Sequence, residues 1–311
     1  MVIKGDFMNI ETEVVELDTV VDYLKPMTLK DFDIVYNFLR KYPAENCDFN
    51  VCNLYGWNYS SNITYTIYSG RLIMFNPVYS ALFCPVGERL PAKELLKLSN
   101  GLKKITGEIE IVSVPDDYIT SANLSEYFDI TNDEDASNYV YTTDDLVHLT
   151  GKKLAKKKNL ISQFHRLYTD VVLKPITAND KNEIIDFCLF WRKTHEAGPQ
   201  HLDKEFTAIQ TILSYWDMFP CKGLKLYVDG RLCAFSVYSP QTPEMATVHY
   251  EKYDMEIKGA GQVINNETAK ILINDYTYVN REEDLGLPGI RQAKRSYQPV
   301  KMLPYYRLKA K

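Results

Sequence analysis

The chain has 311 residues, 45% of them hydrophobic and 25% charged, with a net charge of -5 at pH 7. That balance excludes a disordered chain and leaves material for two cores, while no run approaches the roughly 20 apolar residues a membrane span needs, so no integral membrane segment is expected. The start, MVIKGDFMNIETEVVELD, has no apolar stretch behind basic residues and predicts no leader, and six cysteines without CxxC spacing argue against a zinc site. No metal is expected, and cysteines set beside apolar residues suit a reducing, cytoplasmic compartment.

LKPMT at 24 to 28 predicts a strand at Leu24 to Met27, followed by a helix from Asp31 to Arg40. A hairpin is expected around Gly70 and a strand at Ala81 to Pro85, then a helix from Ala92 to Ile105 and a strand from Glu108 to Val114. A short helix near Asn123 and a strand at Tyr139 to Tyr141 close this half. Residues 151 to 168, GKKLAKKKNLISQFHRLY, then carry Lys152, Lys153, Lys156, Lys157, Lys158 and Arg166 without one acid. Leu154, Ile161, Phe164 and Tyr168 form a helical stripe there, with Lys152, Lys153 and Lys156 turned away from it.

The opening signal then returns. LKPIT at 173 to 177 repeats LKPMT, and GRLCAF at 230 to 235 repeats GRLIMF at 70 to 75, which predicts an internal duplication. In the second copy a strand at Val171 to Lys174 leads to a helix through Ile184, Cys188 and Trp191, and another from Asp203 to Trp216. Strands at Leu224 to Val228 and Leu232 to Tyr238 flank Asp229-Gly230, the strongest kind of hairpin signal. A strand from Thr247 to Tyr253, a helix through Val263 to Leu272, a strand from Tyr276 to Val279, a short helix after Pro288 and a last strand around Val300 to Leu308 complete the order.

That order is similar to the acetyltransferase-like fold called GNAT, in which two central strands diverge to admit an acyl donor. The expected class is therefore α/β (α+β), with two tandem GNAT-like domains. They occupy 1-150, a supporting domain, and 171-311, which carries the active site, joined by a basic linker helix at 151-170.

Several residues in the second copy suit acyl transfer. VHYEKYD at 248 to 254 sets His249, Glu251 and Tyr253 in alternation, which predicts a common face. Glu251 is the first candidate for the base that accepts the acceptor's proton, and His249 the second. A cross-strand salt bridge explains Glu251 without catalysis. Arg281 stands at a strand end and Tyr297 follows the short helix; either suits stabilisation of a leaving oxygen, and Tyr297 equally suits packing. Arg291 and Lys294 share a helix face that would hold a carboxylate or phosphate. EIKGAGQVINNE at 256 to 267 has the shape of a pyrophosphate loop, with Gly259 and Gly261 before a helix, although Glu256 would repel phosphate. A tight turn needing glycine gives the same pattern.

HYEKYDMEIKGAGQVINNETAK and YVNREEDLGLPGIRQAKRSYQPVKM, with GKKLAKKKN at 151 to 159 and NVCNLYGWNY at 50 to 59, resemble the catalytic C-terminal domain of lysyl-phosphatidylglycerol synthases over nearly the whole chain. The resemblance implies two GNAT-like domains of the kind that take an amino acid from aminoacyl-tRNA and join it to a lipid or peptidoglycan precursor. Ala155 stands where relatives often have His, and Lys158 where they have Arg. The leading expectation is an aminoacyl-tRNA-dependent acyltransferase, with Lys152, Lys153 and Lys156 guiding tRNA and a small molecule or lipid headgroup as acceptor. An acyl-coenzyme A N-acyltransferase using the glycine loop is the enzymatic alternative. A non-catalytic module binding a small anion is the other.

Overall fold

Each copy of the repeated motif is folded by the same local device. Thr28 and Asp31 close a capping box, as do Thr177 and Asp180, so each strand that carries LKP is turned directly into a helix. The computed structural model describes residues 17–193 and 199–311.

The first half runs β1 (Lys25–Pro26), α1 (Phe32–Lys41), α2 (Val51–Ser61), β2 (Thr64–Tyr68), β3 (Arg71–Asn76) and β4 (Ala81–Phe83). It continues through α3 (Ala92–Thr106), β5 (Glu110–Val114), α4 (Asp116–Ser121) and β6 (Phe128–Asn132). Next come β7 (Asn138–Thr142), α5 (Thr143–His148) and the basic helix α6 (Ala155–Leu167). The second half runs β8 (Val171–Pro175), α7 (Lys181–Lys193), α8 (Pro199–Ser214), β9 (Lys222–Val228), β10 (Arg231–Thr242) and β11 (Met245–Tyr253). It closes with α9 (Ala260–Leu272), β12 (Tyr278–Asn280), α10 (Pro288–Arg295), β13 (Lys301–Leu303) and β14 (Tyr306–Ala310).

Two seven-stranded sheets result, in the orders β1-β2-β3-β4-β5-β14-β6 and β13-β7-β12-β11-β10-β9-β8. Each half therefore gives one strand to the other. The strand expected at Tyr139 to Tyr141 forms as β7, but it lies in the second sheet, antiparallel to both β12 and β13. The single terminal strand expected around Val300 to Leu308 is two strands. Pro304 lacks the N–H a ladder needs, and there the chain leaves the second sheet, so that β14 can pair with β5 and β6 in the first.

The sheets also share an apolar core. One cluster joins Phe32, Tyr55 and Leu72 of the first half to Ile184, Ile212, Phe219, Phe235 and Tyr250 of the second, with Phe32 and Phe219 edge to face at 5.5 Å between ring centroids. Helix α2 packs closely on α8, where a Cβ added at Gly56 would sit in van der Waals contact with Ile212 at 3.4 Å. Among the described residues no helix is long and apolar enough to cross a membrane.

Candidate active site

In the second sheet β11 and β12 run parallel but pair only over Met245–Thr247 and Tyr278–Asn280. Beyond that point they part. β11 continues with β10 to Tyr253, whereas Arg281 and Glu282 follow β7, through Arg281 N–H donating to the Tyr139 carbonyl at 2.9 Å and Tyr139 N–H donating to the Glu282 carbonyl at 3.1 Å. The first half repeats this divergence one residue later, Val114 continuing with Tyr306 of β14. After β4, Cys84 N–H bonds the Val112 carbonyl at 2.9 Å, and Val86 stays paired with Leu72.

Residues facing the gap in the second sheet are sorted by an irregularity in β11. Val237 pairs with Tyr250 and Tyr238 with Val248, so His249 is an extra, unpaired residue, a β-bulge. The bulge corrects the expected common face. Glu251 points towards α9, where Asn265 Nδ2 donates to its Oε2 at 3.0 Å. His249 lies on the opposite side, towards the first half. Its Nε2 is 2.8 Å from Ser239 Oγ and its Nδ1 2.9 Å from Glu282 Oε1. Asn50 and Asn53 of the first half complete this buried group, Asn50 Oδ1 accepting from Ser239 and Asn53 Nδ2 donating to Glu282 at 2.8 Å.

The gap is thus bridged by an ion pair on one face and a histidine–carboxylate hydrogen bond on the other. Arg281 Nη2 to Glu251 Oε1, at 2.7 Å, lies on the α9 face, and Glu282 to His249 lies on the other. Arg281 is stacked on aromatic rings, its guanidinium carbon 5.1 Å from the Tyr297 centroid and 5.8 Å from that of Tyr141. Burial pushes the Tyr297 hydroxyl well above the usual phenol range, with Arg281 opposing and Glu251 adding to the rise. Asn265 is 3% exposed and its Oδ1 has no hydrogen-bond partner. Its orientation is fixed by the carboxylate that accepts from its Nδ2.

The basic helix opens onto the same place. Helix α6 begins at Ala155, so Lys152 and Lys153 precede it, and both are exposed, as is Lys156. Lys157 turns inward instead, with Nζ 4.4 Å from the Tyr297 ring centroid. Sequence reasoning counted Lys157 only as one charge in a run. The signal was present: it falls three residues after Leu154 and four before Ile161, on the apolar stripe itself. Burial lowers its pKa, with the charges of Arg281 and Lys156 adding to the effect.

Other expected residues lie elsewhere or are already engaged. Arg291 donates from Nε to Asp284 Oδ2 at 2.7 Å and from Nη2 to Oδ1 at 2.8 Å, a bidentate pair, and it also bonds Asp135. Lys294 is half-buried under main chain, its Nζ donating to the Arg281 carbonyl at 2.6 Å and to that of Glu283. Both cations brace the 281 to 284 segment rather than present a free face to an anion.

The glycine loop is likewise occupied by protein. Gly259 has φ 89°, and a Cβ on it would lie 2.7 Å from the Leu160 carbonyl oxygen of α6; a Cβ on Gly261 would lie 2.7 Å from the Tyr253 ring. The amides of Glu256, Ile257, Lys258 and Ala260 all donate within the protein. Packing of α9 against α6 and Tyr253 requires both glycines.

Two GNAT-like domains from an internal duplication, with the strands parted in each, define a tandem acyltransferase fold. The chain belongs to the family described as phosphatidylglycerol lysyltransferase, C-terminal, which it matches over residues 39–309. It is similar to a conserved protein of unknown function from Bacteroides thetaiotaomicron, with a TM-score of 0.85 and 32% identity, over 93% of this chain and 99% of that one. L-PGS from Bacillus licheniformis shares the fold at TM-score 0.57 and 14% identity, over 89% of this chain and 91% of that one. FemX does so at TM-score 0.60 and 8% identity, over 92% and 96% respectively.

Proposed function

We propose that the second half transfers an aminoacyl group from aminoacyl-tRNA to an amine or hydroxyl acceptor, a small molecule or a lipid headgroup, at the Glu251–Arg281–Tyr297 site. The observation that carries this reading is the join between a polar reaction site and a cationic approach: Lys157 reaches Tyr297 from a helix start whose neighbours Lys152, Lys153 and Lys156 face solvent. A phosphate-rich donor is drawn to such an approach, and the site beyond it has a carboxylate for the acceptor's proton and cations for the developing oxyanion.

The coenzyme A alternative has less in its favour. A pantetheine arm lying between the parted strands would have to break the Arg281–Glu251 ion pair and the Glu282–His249 hydrogen bond, and the amides of Glu256, Ile257, Lys258 and Ala260 in the loop already have partners. An anion sensor is disfavoured in the same way by the engagement of Arg291 and Lys294.

In this reading residues 1-150 mainly support residues 171-311, and 151-170 guides the donor. The six buried, unpaired thiols fit a cytoplasmic setting. The test is release of radiolabelled amino acids from bulk charged tRNA to hydroxylamine as a surrogate acceptor. Wild-type protein should accelerate it, and Lys152→Ala, Lys153→Ala, Lys156→Ala together should raise KM for tRNA. No binding of charged tRNA by the wild type overturns the proposal.

A further inference from the structure

We infer that Lys157 is a further catalytic residue, giving a proton to the ribose oxygen that leaves when the aminoacyl ester is cleaved. This rests on the aminoacyl-tRNA reading above.

The site has an acceptor end and a donor end. Glu251 and the unpartnered Asn265 Oδ1 accept hydrogen bonds and suit the incoming nucleophile. Arg281, Tyr297 and Lys157 stand at the other end, where the leaving oxygen develops charge. Of these three, Lys157 is the one best suited to give up a proton. A guanidinium does not deprotonate in proteins, and burial makes the Tyr297 phenol a weaker acid than usual. Burial and neighbouring cations act on Lys157 in the opposite sense, making its ammonium a better acid. Among the described residues it also has no carboxylate at ion-pair distance; its recorded contact is the face of Tyr297. A half-buried cation held by a ring alone is free to turn its N–H groups to a substrate oxygen.

The step balances without a co-reactant. The acceptor attacks the ester carbonyl carbon, and its proton passes to Glu251. The bond from the carbonyl carbon to the ribose oxygen then breaks, the electron pair stays on that oxygen, and Lys157 Nζ supplies its proton. One proton has been taken and one given, and exchange with solvent restores both groups.

The test compares two donors of the same amino acid, charged tRNA and a p-nitrophenyl ester, with hydroxylamine as acceptor. Nitrophenolate leaves without protonation. Lys157→Ala should therefore lower kcat with charged tRNA by about a hundredfold or more, yet leave kcat for the nitrophenyl ester within about threefold of wild type. Lys157→Arg keeps the charge but cannot give the proton, so it should fail with charged tRNA as Lys157→Ala does. Equal losses with both donors, or wild-type kcat with charged tRNA in Lys157→Arg, overturn the role of Lys157 while leaving the aminoacyl-tRNA reading intact. A wild type that turns over the nitrophenyl ester but never charged tRNA defeats that reading instead, and the inference with it.

Discussion

Asp31 and Asp180 hold equivalent places in the two halves, and each is paired with a lysine, exposed Lys25 in the first and buried Lys225 in the second. Each closes a capping box at the turn after LKP, and each has one oxygen left for the neighbouring strand. Asp31 Oδ1 accepts from the Tyr65 hydroxyl at 2.7 Å and from Lys25 Nζ at 3.2 Å, while Asp180 Oδ1 accepts from Lys225 Nζ at 2.6 Å. Tyr65 pairs with Lys25 in the first sheet and Lys225 with Lys174 in the second, so these two side chains stand at one repeated position. Lys225 Nζ also bonds Glu183, at 2.9 Å.

The two substitutions at that position should differ in cost. Tyr65→Phe removes one hydrogen bond to a carboxylate and should destabilise by about 1.5 kcal/mol. Lys225→Met leaves Asp180 and Glu183 facing each other without their cation, and its side chain is 4% exposed, so about 3 kcal/mol is expected. Urea denaturation of both variants checks the order; equal midpoints would show that the lysine is neutral on balance.

Much of this architecture was legible in the sequence because it is written locally. The strand-to-helix turn after each LKP, the Asp229-Gly230 hairpin and the α9 stripe each depend on neighbours a few residues away. Strand exchange does not. The residues of β7 and β14 read as strands in either sheet, and only long-range packing decides which edge receives them. Helix α2 escaped notice for another reason: Val51, Cys52, Leu54, Tyr55 and Gly56 are all buried, so no polar face gives it a period. At the site, one inserted residue undid the alternation. Without the bulge at His249, Glu251 and His249 would have shared a face as expected.

Under the proposed function, the bulge separates a turnover residue, Glu251, from a structural one, His249. Glu251→Gln should lower the transfer rate by about a hundredfold or more, and should also cost some stability because Arg281 loses the charge of its carboxylate partner. His249→Ala removes the partner of Glu282 and Ser239 between the halves and should cost about 2–3 kcal/mol of stability. Parallel melting curves and transfer assays test this. A His249→Ala protein as stable as wild type would remove the structural assignment.

Acid should weaken the protein through Asp284. Hydrogen bonds from Arg291, then opposing burial, then Tyr139 and the Gly286 amide, leave its pKa at about 2. A carboxyl whose pKa is lowered in the fold binds protons less readily than in the unfolded chain, whose value is about 3.9. Its contribution to stability is therefore fully present above about pH 4 and is lost as pH falls from there towards 2. Arg291→Met should shift the acid unfolding midpoint to higher pH, read by tryptophan fluorescence between pH 5 and 2. An unchanged midpoint would mean that other carboxyls govern acid unfolding.

Removing β14 tests the strand exchange. A chain ending at Pro304 loses a strand paired on both sides in the first sheet and exposes the socket of Leu308, which is 0% exposed. Burial of that leucine alone is worth about 1.5–3 kcal/mol. Hydrogen exchange should therefore rise first in β5 and β6, with the second sheet following as the shared core loosens. If exchange rises equally everywhere at once, the two sheets unfold as one cooperative unit.

Gly259 distinguishes packing from phosphate binding. With φ at 89° and the Leu160 carbonyl 2.7 Å from where a Cβ would sit, Gly259→Ala forces α9 away from α6 or strains the backbone. Left-handed strain and overpacking together predict a loss of about 2–4 kcal/mol. A loop kept for pyrophosphate would behave differently: the variant would keep its stability and lose affinity for coenzyme A. Because α6 carries Lys157, displacement of that helix should also draw Lys157 away from Tyr297, so transfer activity should fall along with the melting temperature. A stabilising suppressor elsewhere in the core would restore the melting temperature but not the rate, because the α6–α9 contact would still be spread.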